Sequence, residues 1–129
     1  MVLQLESNSS CISEVEKYVR QLFEHFGIDT ELYPNILISI TEAVNNAVQH
    51  GNCNDRTKVV FVRAHKNQRI LCCEISDEGR GFDPSLLPDP TAPENVEKPG
   101  GRGVFLMRQL SDRVRFKDNG STVELEFYL

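Results

Sequence analysis

Two polar residues four positions apart, Glu42 and Asn46, sit inside the stretch Ile40-Thr41-Glu42-Ala43-Val44-Asn45-Asn46-Ala47-Val48-Gln49-His50-Gly51. On a helix that spacing stacks both side chains on one face, a turn apart. A carboxylate can take a proton. An amide oxygen is a hard, neutral ligand that suits Mg²⁺, which keeps several waters and takes further oxygens from phosphate groups. Two later stretches extend the chemistry. Asp77-Glu78-Gly79-Arg80-Gly81-Phe82 offers a carboxylate able to accept from an exocyclic amine, with glycines that let the backbone turn tightly against a ligand. Gly100-Gly101-Arg102-Gly103 precedes an apolar helical run, so free N–H groups would form an anion site that Arg102 could reinforce. For each stretch the ordinary alternative is a solvated polar stripe or a plain glycine turn.

The elements that must position these residues are legible in order. Val2, Leu3 and Leu5 read as a short strand, and the polar run from Glu6 to Ser10 offers helix caps. Ile12, Val15, Val19, Leu22 and Phe26 recur at helical spacing, with Gly27 as the stop. Asp29-Thr30-Glu31 opens a second helix in which Pro34 is tolerable only in the first turn. Ile36, Ile40, Ala43, Val44 and Ala47 make its buried stripe, with Glu42 and Asn46 beside it.

Strands are expected over Lys58 to Ala64 and Ile70 to Ser76, joined at Asn67-Gln68, the second apolar enough to be central. Residues 83–100 carry five of the six prolines and little apolar periodicity, which reads as a lid. A short helix over Val104 to Leu110 follows. Val114 to Phe116 and Thr122 to Phe127 close the chain as a hairpin, with Val123, Leu125, Phe127 and Leu129 on one side and Glu124, Glu126 and Tyr128 on the other.

Length and composition set the bounds. A chain of 129 residues is expected to form one domain, residues 1–129. A net charge of −5 argues against a nucleic-acid binder, which needs Lys and Arg to neutralise phosphates. No apolar run reaches the ~20 residues of a membrane span, and the start lacks a signal-peptide pattern, so a cytoplasmic protein is the expectation. The four cysteines show no metal-ligand spacing, and Cys72 and Cys73, adjacent in a strand, point to opposite faces. His25, His50 and His65 are dispersed, so nothing points to histidine chemistry, and no Gly-x-x-x-x-Gly-Lys-Ser/Thr loop occurs.

The segments Glu42 to Gly51, Asp77 to Phe82 and Gly101-Arg102-Gly103-Val104, in that order, resemble the N, G1 and G2 boxes of the GHKL superfamily of ATP-binding domains. At this size the chain resembles its anti-sigma-factor serine/threonine kinases. The resemblance implies an α/β (α+β) two-layer sandwich, with helices on one face of a mixed, mostly antiparallel sheet and an ATP lid at about 83–100. It implies ATP and Mg²⁺ as cofactors, Glu42 as general base and Asn46 as the Mg²⁺ ligand. Asp77 would read the adenine amine, with Gly79 and Gly81 letting the backbone approach the base. Gly101, Arg102, Gly103 and Val104 would close on the phosphates, and Thr122 would bind the adenine edge. It further implies a homodimer whose partners are a sigma factor and a small anti-anti-sigma (STAS-type) protein phosphorylated on serine or threonine. Two other readings stay open: a nucleotide-gated binding module without kinase activity, and a detached histidine-kinase-like catalytic domain.

Overall fold

The computed structural model describes residues 1–8, 11–79 and 101–129, without the side chains at 101 and 102. The first strand, β1 (Val2–Glu6), leads to helix α1 (Cys11–Phe26). A 3-10 turn, Thr30–Leu32, follows, with Asp29 Oδ1 accepting from the N–H of Glu31 at 2.9 Å. Helix α2 (Tyr33–Asn46) carries Pro34 in its first turn, where no intrahelical N–H is lost, and ends in a π-helical turn, Ala47–Gly51. Strands β2 (Val59–Lys66) and β3 (Ile70–Ser76) form a hairpin. Helix α3 (Gly101–Leu110) precedes a second hairpin of β4 (Arg113–Lys117) and β5 (Thr122–Tyr128).

The five strands lie in the order β1-β2-β3-β5-β4, which puts the most apolar one, β3, at the centre. All four pairings are antiparallel; the parallel pairing that a mixed sheet allows for is absent among the described residues. Strand alternation turns Leu5, Val60, Val62, Leu71, Cys73, Ile75, Val123, Leu125 and Phe127 into one core with the buried sides of the helices. Ile36, Ile40 and Val44 of α2 are fully buried there, each worth on the order of 2 kcal/mol before the entropy of ordering it.

Helix α1 is rotated from its expected setting. Ile12 is 37% exposed and Phe26 is half-buried, while Cys11, Tyr18 and Phe23 join Val15, Val19 and Leu22 in the core. Tyr18 can take a core position because its hydroxyl donates to the carbonyl of Met1 at 2.8 Å, outside the apolar layer. The helix stops at Gly27, whose φ of +62° lets the Ile28 N–H reach back to the Phe23 carbonyl at 3.1 Å.

The other face of the sheet carries Val59 and Phe61 on β2 and is polar over β3, β5 and β4. Glu124, expected outward on β5, does point that way, yet it is only 8% exposed. Lys117 of β4 lies over it, with Nζ 2.5 Å from Glu124 Oε2 and 3.4 Å from Glu74 Oε1. Leu129 falls past the end of β5 and is exposed instead of extending the buried alternation. No helix among the described residues is long and apolar enough to cross a membrane.

Candidate active site

Helix α2 presents Glu42 and Asn46 toward α3, against Gly103. A Cβ at Gly103 would lie 3.0 Å from Glu42 Oε2, and 3.4 and 3.5 Å from the two amide atoms of Asn46. Only a residue without a side chain lets the two helices come this close without displacing the carboxylate. The sequence placed the glycines ahead of the helix; Gly101 and Gly103 instead form its first turn. Burial pushes the Glu42 carboxyl pKa up, because the charged form loses solvation. Asn46 Nδ2 is buried with no hydrogen-bond partner. A buried amide left so costs about 1–3 kcal/mol, and it marks where a polar ligand atom would be welcome. Turned over, the same amide offers its oxygen to a cation.

Asn46 lines a cavity with Ala43, Ile75, Asp77, Met107 and Ser121. At about 10 Å³ it has room for one water. Asp77 lies just past the end of β3. Its N–H donates to the Ser121 carbonyl at 2.9 Å, and its Oδ1 accepts from the Gly79 N–H at 2.8 Å, leaving Oδ2 available. Burial raises the Asp77 pKa, opposed by the Gly79 hydrogen bond and the charge of Lys58.

Two glycines are needed here for contacts with protein. A Cβ at Gly79 would stand 1.8 Å from the Gly51 carbonyl oxygen, and one at Gly51 would stand 2.2 Å from the Asp77 carboxyl carbon. Gly79, read from sequence as room for a ligand, also makes room for the π-helical turn. Gly51 was not among the residues singled out for a role, although it closes the first motif.

Thr122 lies on the other side of the sheet from the cavity. Its hydroxyl is 3.0 Å from Ser76 Oγ and 3.4 Å from Asp118 Oδ2, while its neighbour Ser121 lines the cavity. Val104 is a core residue, so only its backbone is available to a ligand. Gly81, the 83–100 lid and the Arg102 side chain lie outside the described residues.

Sequence inspection also missed Asn52, a buried amide tied to the Asp77 turn, and a grouping of Cys72 with Glu124 and Glu126. Ligand atoms of those three lie within 4.8 Å of one another across β3 and β5. Lys117 and Arg115 already neutralise the carboxylates, and burial beside Glu124 raises the Cys72 pKa to about 11. The group therefore stands as a thiol within an ion-pair network.

A profile of the histidine kinase-like ATPase domain matches residues 5–127. The chain belongs to this family. Histidine kinase-like ATPase domains imply nucleotide use at the family level, and the orphaned Asn46 amide and the bare Gly103 surface are compatible with that. Among curated proteins this domain is similar to the serine-protein kinase RsbW of Staphylococcus aureus strains JH9 and Newman. Each is 24% identical over 135 residues, covering 98% of this chain and 85% of the relative. Its fold matches the crystal structure of the RsbU and RsbW domains of Rv1364c from Mycobacterium tuberculosis with a TM-score of 0.61 at 18% identity. That match covers 99% of this chain and 32% of the other, so the chain spans about a third of the solved protein's length.

Proposed function

We propose that this domain is a Mg–ATP-dependent protein serine/threonine kinase and anti-sigma factor that phosphorylates a small STAS-type anti-anti-sigma protein in a partner-switching pathway. The observation that carries the kinase assignment is Glu42, a desolvated carboxylate one turn from an unpartnered amide and facing the first turn of α3. The resemblance to anti-sigma kinases and the likeness to RsbW support the pathway. The same resemblance supports a homodimer, and the sequence-based expectation of a cytoplasmic protein is part of this proposal.

In this reading Glu42 takes the proton from a serine or threonine hydroxyl, its raised pKa making it a better base than an exposed glutamate. Asn46 would hold Mg²⁺ through its amide oxygen. Bound there, the ion would supply neutralisation of phosphate charge. Asp77 Oδ2, the oxygen free of the Gly79 N–H, accepts from the adenine amine, and Ser121, which lines the cavity, takes the adenine-edge role that the resemblance implies for Thr122. The N–H groups of Gly101, Arg102 and Gly103, in the first turn of α3, point to phosphate, as helix N-termini do. Gly81 and the lid at 83–100 keep the roles the resemblance gives them.

The test compares wild type with Glu42→Gln, each offered Mg–ATP and the proteins it captures from native lysate. Acid-stable phosphate on a small captured protein is expected with wild type and not with Glu42→Gln, while both bind nucleotide alike. Normal phosphorylation by Glu42→Gln removes the base assignment. Acid-labile phosphohistidine points to a histidine-kinase-like catalytic domain, and nucleotide-gated capture without phosphate to a binding module.

A further inference from the structure

We propose that Asn52 is a positioning residue for the adenine end of the site, holding the Asp77–Gly79 turn where Asp77 can read a purine amine. The proposal rests on the role given to Asp77 above. Asn52 follows the π-helical turn, its own N–H donating to the Ala47 carbonyl at 2.8 Å. Its side chain is 1% exposed and nearly saturated with bonds. Oδ1 accepts from the Glu78 N–H at 2.8 Å, while Nδ2 donates to Ser7 Oγ at 2.8 Å and to the Val59 carbonyl at 3.0 Å. Ser7 Oγ in turn donates to the Lys58 carbonyl at 2.9 Å.

The geometry makes this more than a filled space. Glu78 is the residue between Asp77 and Gly79, so its N–H fixes the peptide that joins the two. The same residue is held from its side chain, whose Oε1 accepts from the Val59 N–H at 2.7 Å. The turn is thus pinned at both ends of Glu78, with Gly51, Asn52's neighbour, packed against the Asp77 carboxylate. A buried amide with both donors and an acceptor engaged has one orientation available, which is what precise placement of a neighbouring carboxylate requires. Losing it frees the turn to swing, and Asp77 Oδ2 no longer meets the amine at hydrogen-bond distance.

A merely structural amide would lower stability without changing which base is preferred. The discriminating readout is therefore the ratio of Kd for Mg–inosine triphosphate, which lacks the exocyclic amine, to Kd for Mg–ATP. Wild type is expected to favour ATP by at least about 10-fold, the worth of one hydrogen bond to a charged group. Asn52→Ala should bring that ratio close to 1 while inosine triphosphate affinity stays within about 2-fold of wild type. Ser7→Ala cuts the far bond and leaves the Glu78 bond in place; it should lower the melting temperature and keep the ratio. If Asn52→Ala does not fold, Asn52→Ser gives the same readout, its hydroxyl being too short to reach the Glu78 N–H. A wild-type ratio in the folded Asn52 variant overturns this proposal alone. A wild type indifferent to the amine overturns the adenine role of Asp77, and this proposal with it.

Discussion

Gly51→Ala tests whether the end of α2 and the Asp77 carboxylate touch as described. The new Cβ would lie 2.2 Å from Asp77 Cγ and Oδ2, against an ordinary contact of 3.4 Å, a shortfall of about 1.2 Å. Asp77 can yield only by leaving its rotamer and giving up the Gly79 N–H at 2.8 Å. Such overpacking costs about 1–3 kcal/mol. An alanine in the closing helical turn returns about 0.5–1 kcal/mol, because Gly51 does not have a left-handed φ. The net is a loss of about 1 kcal/mol, within a range of about 0–2.5 kcal/mol, or roughly 4 °C of melting temperature for a domain of this size. In the proposed site, nucleotide affinity should fall about 10- to 100-fold as the displaced carboxylate loses the charge-assisted hydrogen bond assigned to it. The control is the same Gly51→Ala change in an Asp77→Ala background, where the clashing atoms are gone and the added methyl should be neutral or slightly stabilising. Thermal melts and titration with a fluorescent ATP analogue measure both quantities. A Gly51→Ala protein with wild-type melting and affinity, or an equal loss in both backgrounds, refutes the contact.

Met107 is fully buried in α3 and lines the cavity, so Met107→Ala should cost about 2–4 kcal/mol in urea denaturation; a loss well under 1 kcal/mol would mean α3 does not pack on α2 as seen. The pH dependence of stability has two signs. Glu42 and Asp77 have raised folded-state pKa values, so their contribution is present below the unfolded carboxylate pKa and lost as pH rises through the folded values. Glu42→Gln should therefore melt higher than wild type at neutral pH and lose that advantage in acid. Glu124 is lowered, chiefly by the Lys117 hydrogen bond, so its contribution is present above its unfolded pKa and lost as pH falls through the folded value. Glu124→Gln should narrow the gap between neutral and acid melting; an unchanged acid limb would mean the ion pair contributes nothing.

Much of this molecule was legible as local pattern. The α2 stripe of Ile36, Ile40, Val44 and Ala47 repeats at the helical period, and the same geometry sets Glu42 and Asn46 one turn apart. The limits of β3 and its central place followed from a continuous apolar run closed by Asp77. The setting of α1 did not, because Tyr18 is buried only where the Met1 carbonyl meets its hydroxyl, 17 residues away. The near-complete burial of Glu124 escaped for a similar reason: its cover comes from Lys117 and Arg115 on a neighbouring strand.

Periodicity therefore determined which elements form and which of their faces are apolar, since those depend on backbone geometry within a few residues. The tertiary structure alone decided what each polar group meets. It set Gly103 against Glu42, put Gly51 under a carboxylate 26 positions later in the chain, and bridged Ser7 to Glu78 through Asn52. It also turned Thr122 away from the cavity and left Ser121 beside it. These contacts depend on strand order and on the register of β3 against β5, and a one-residue slip in that register would exchange the two faces.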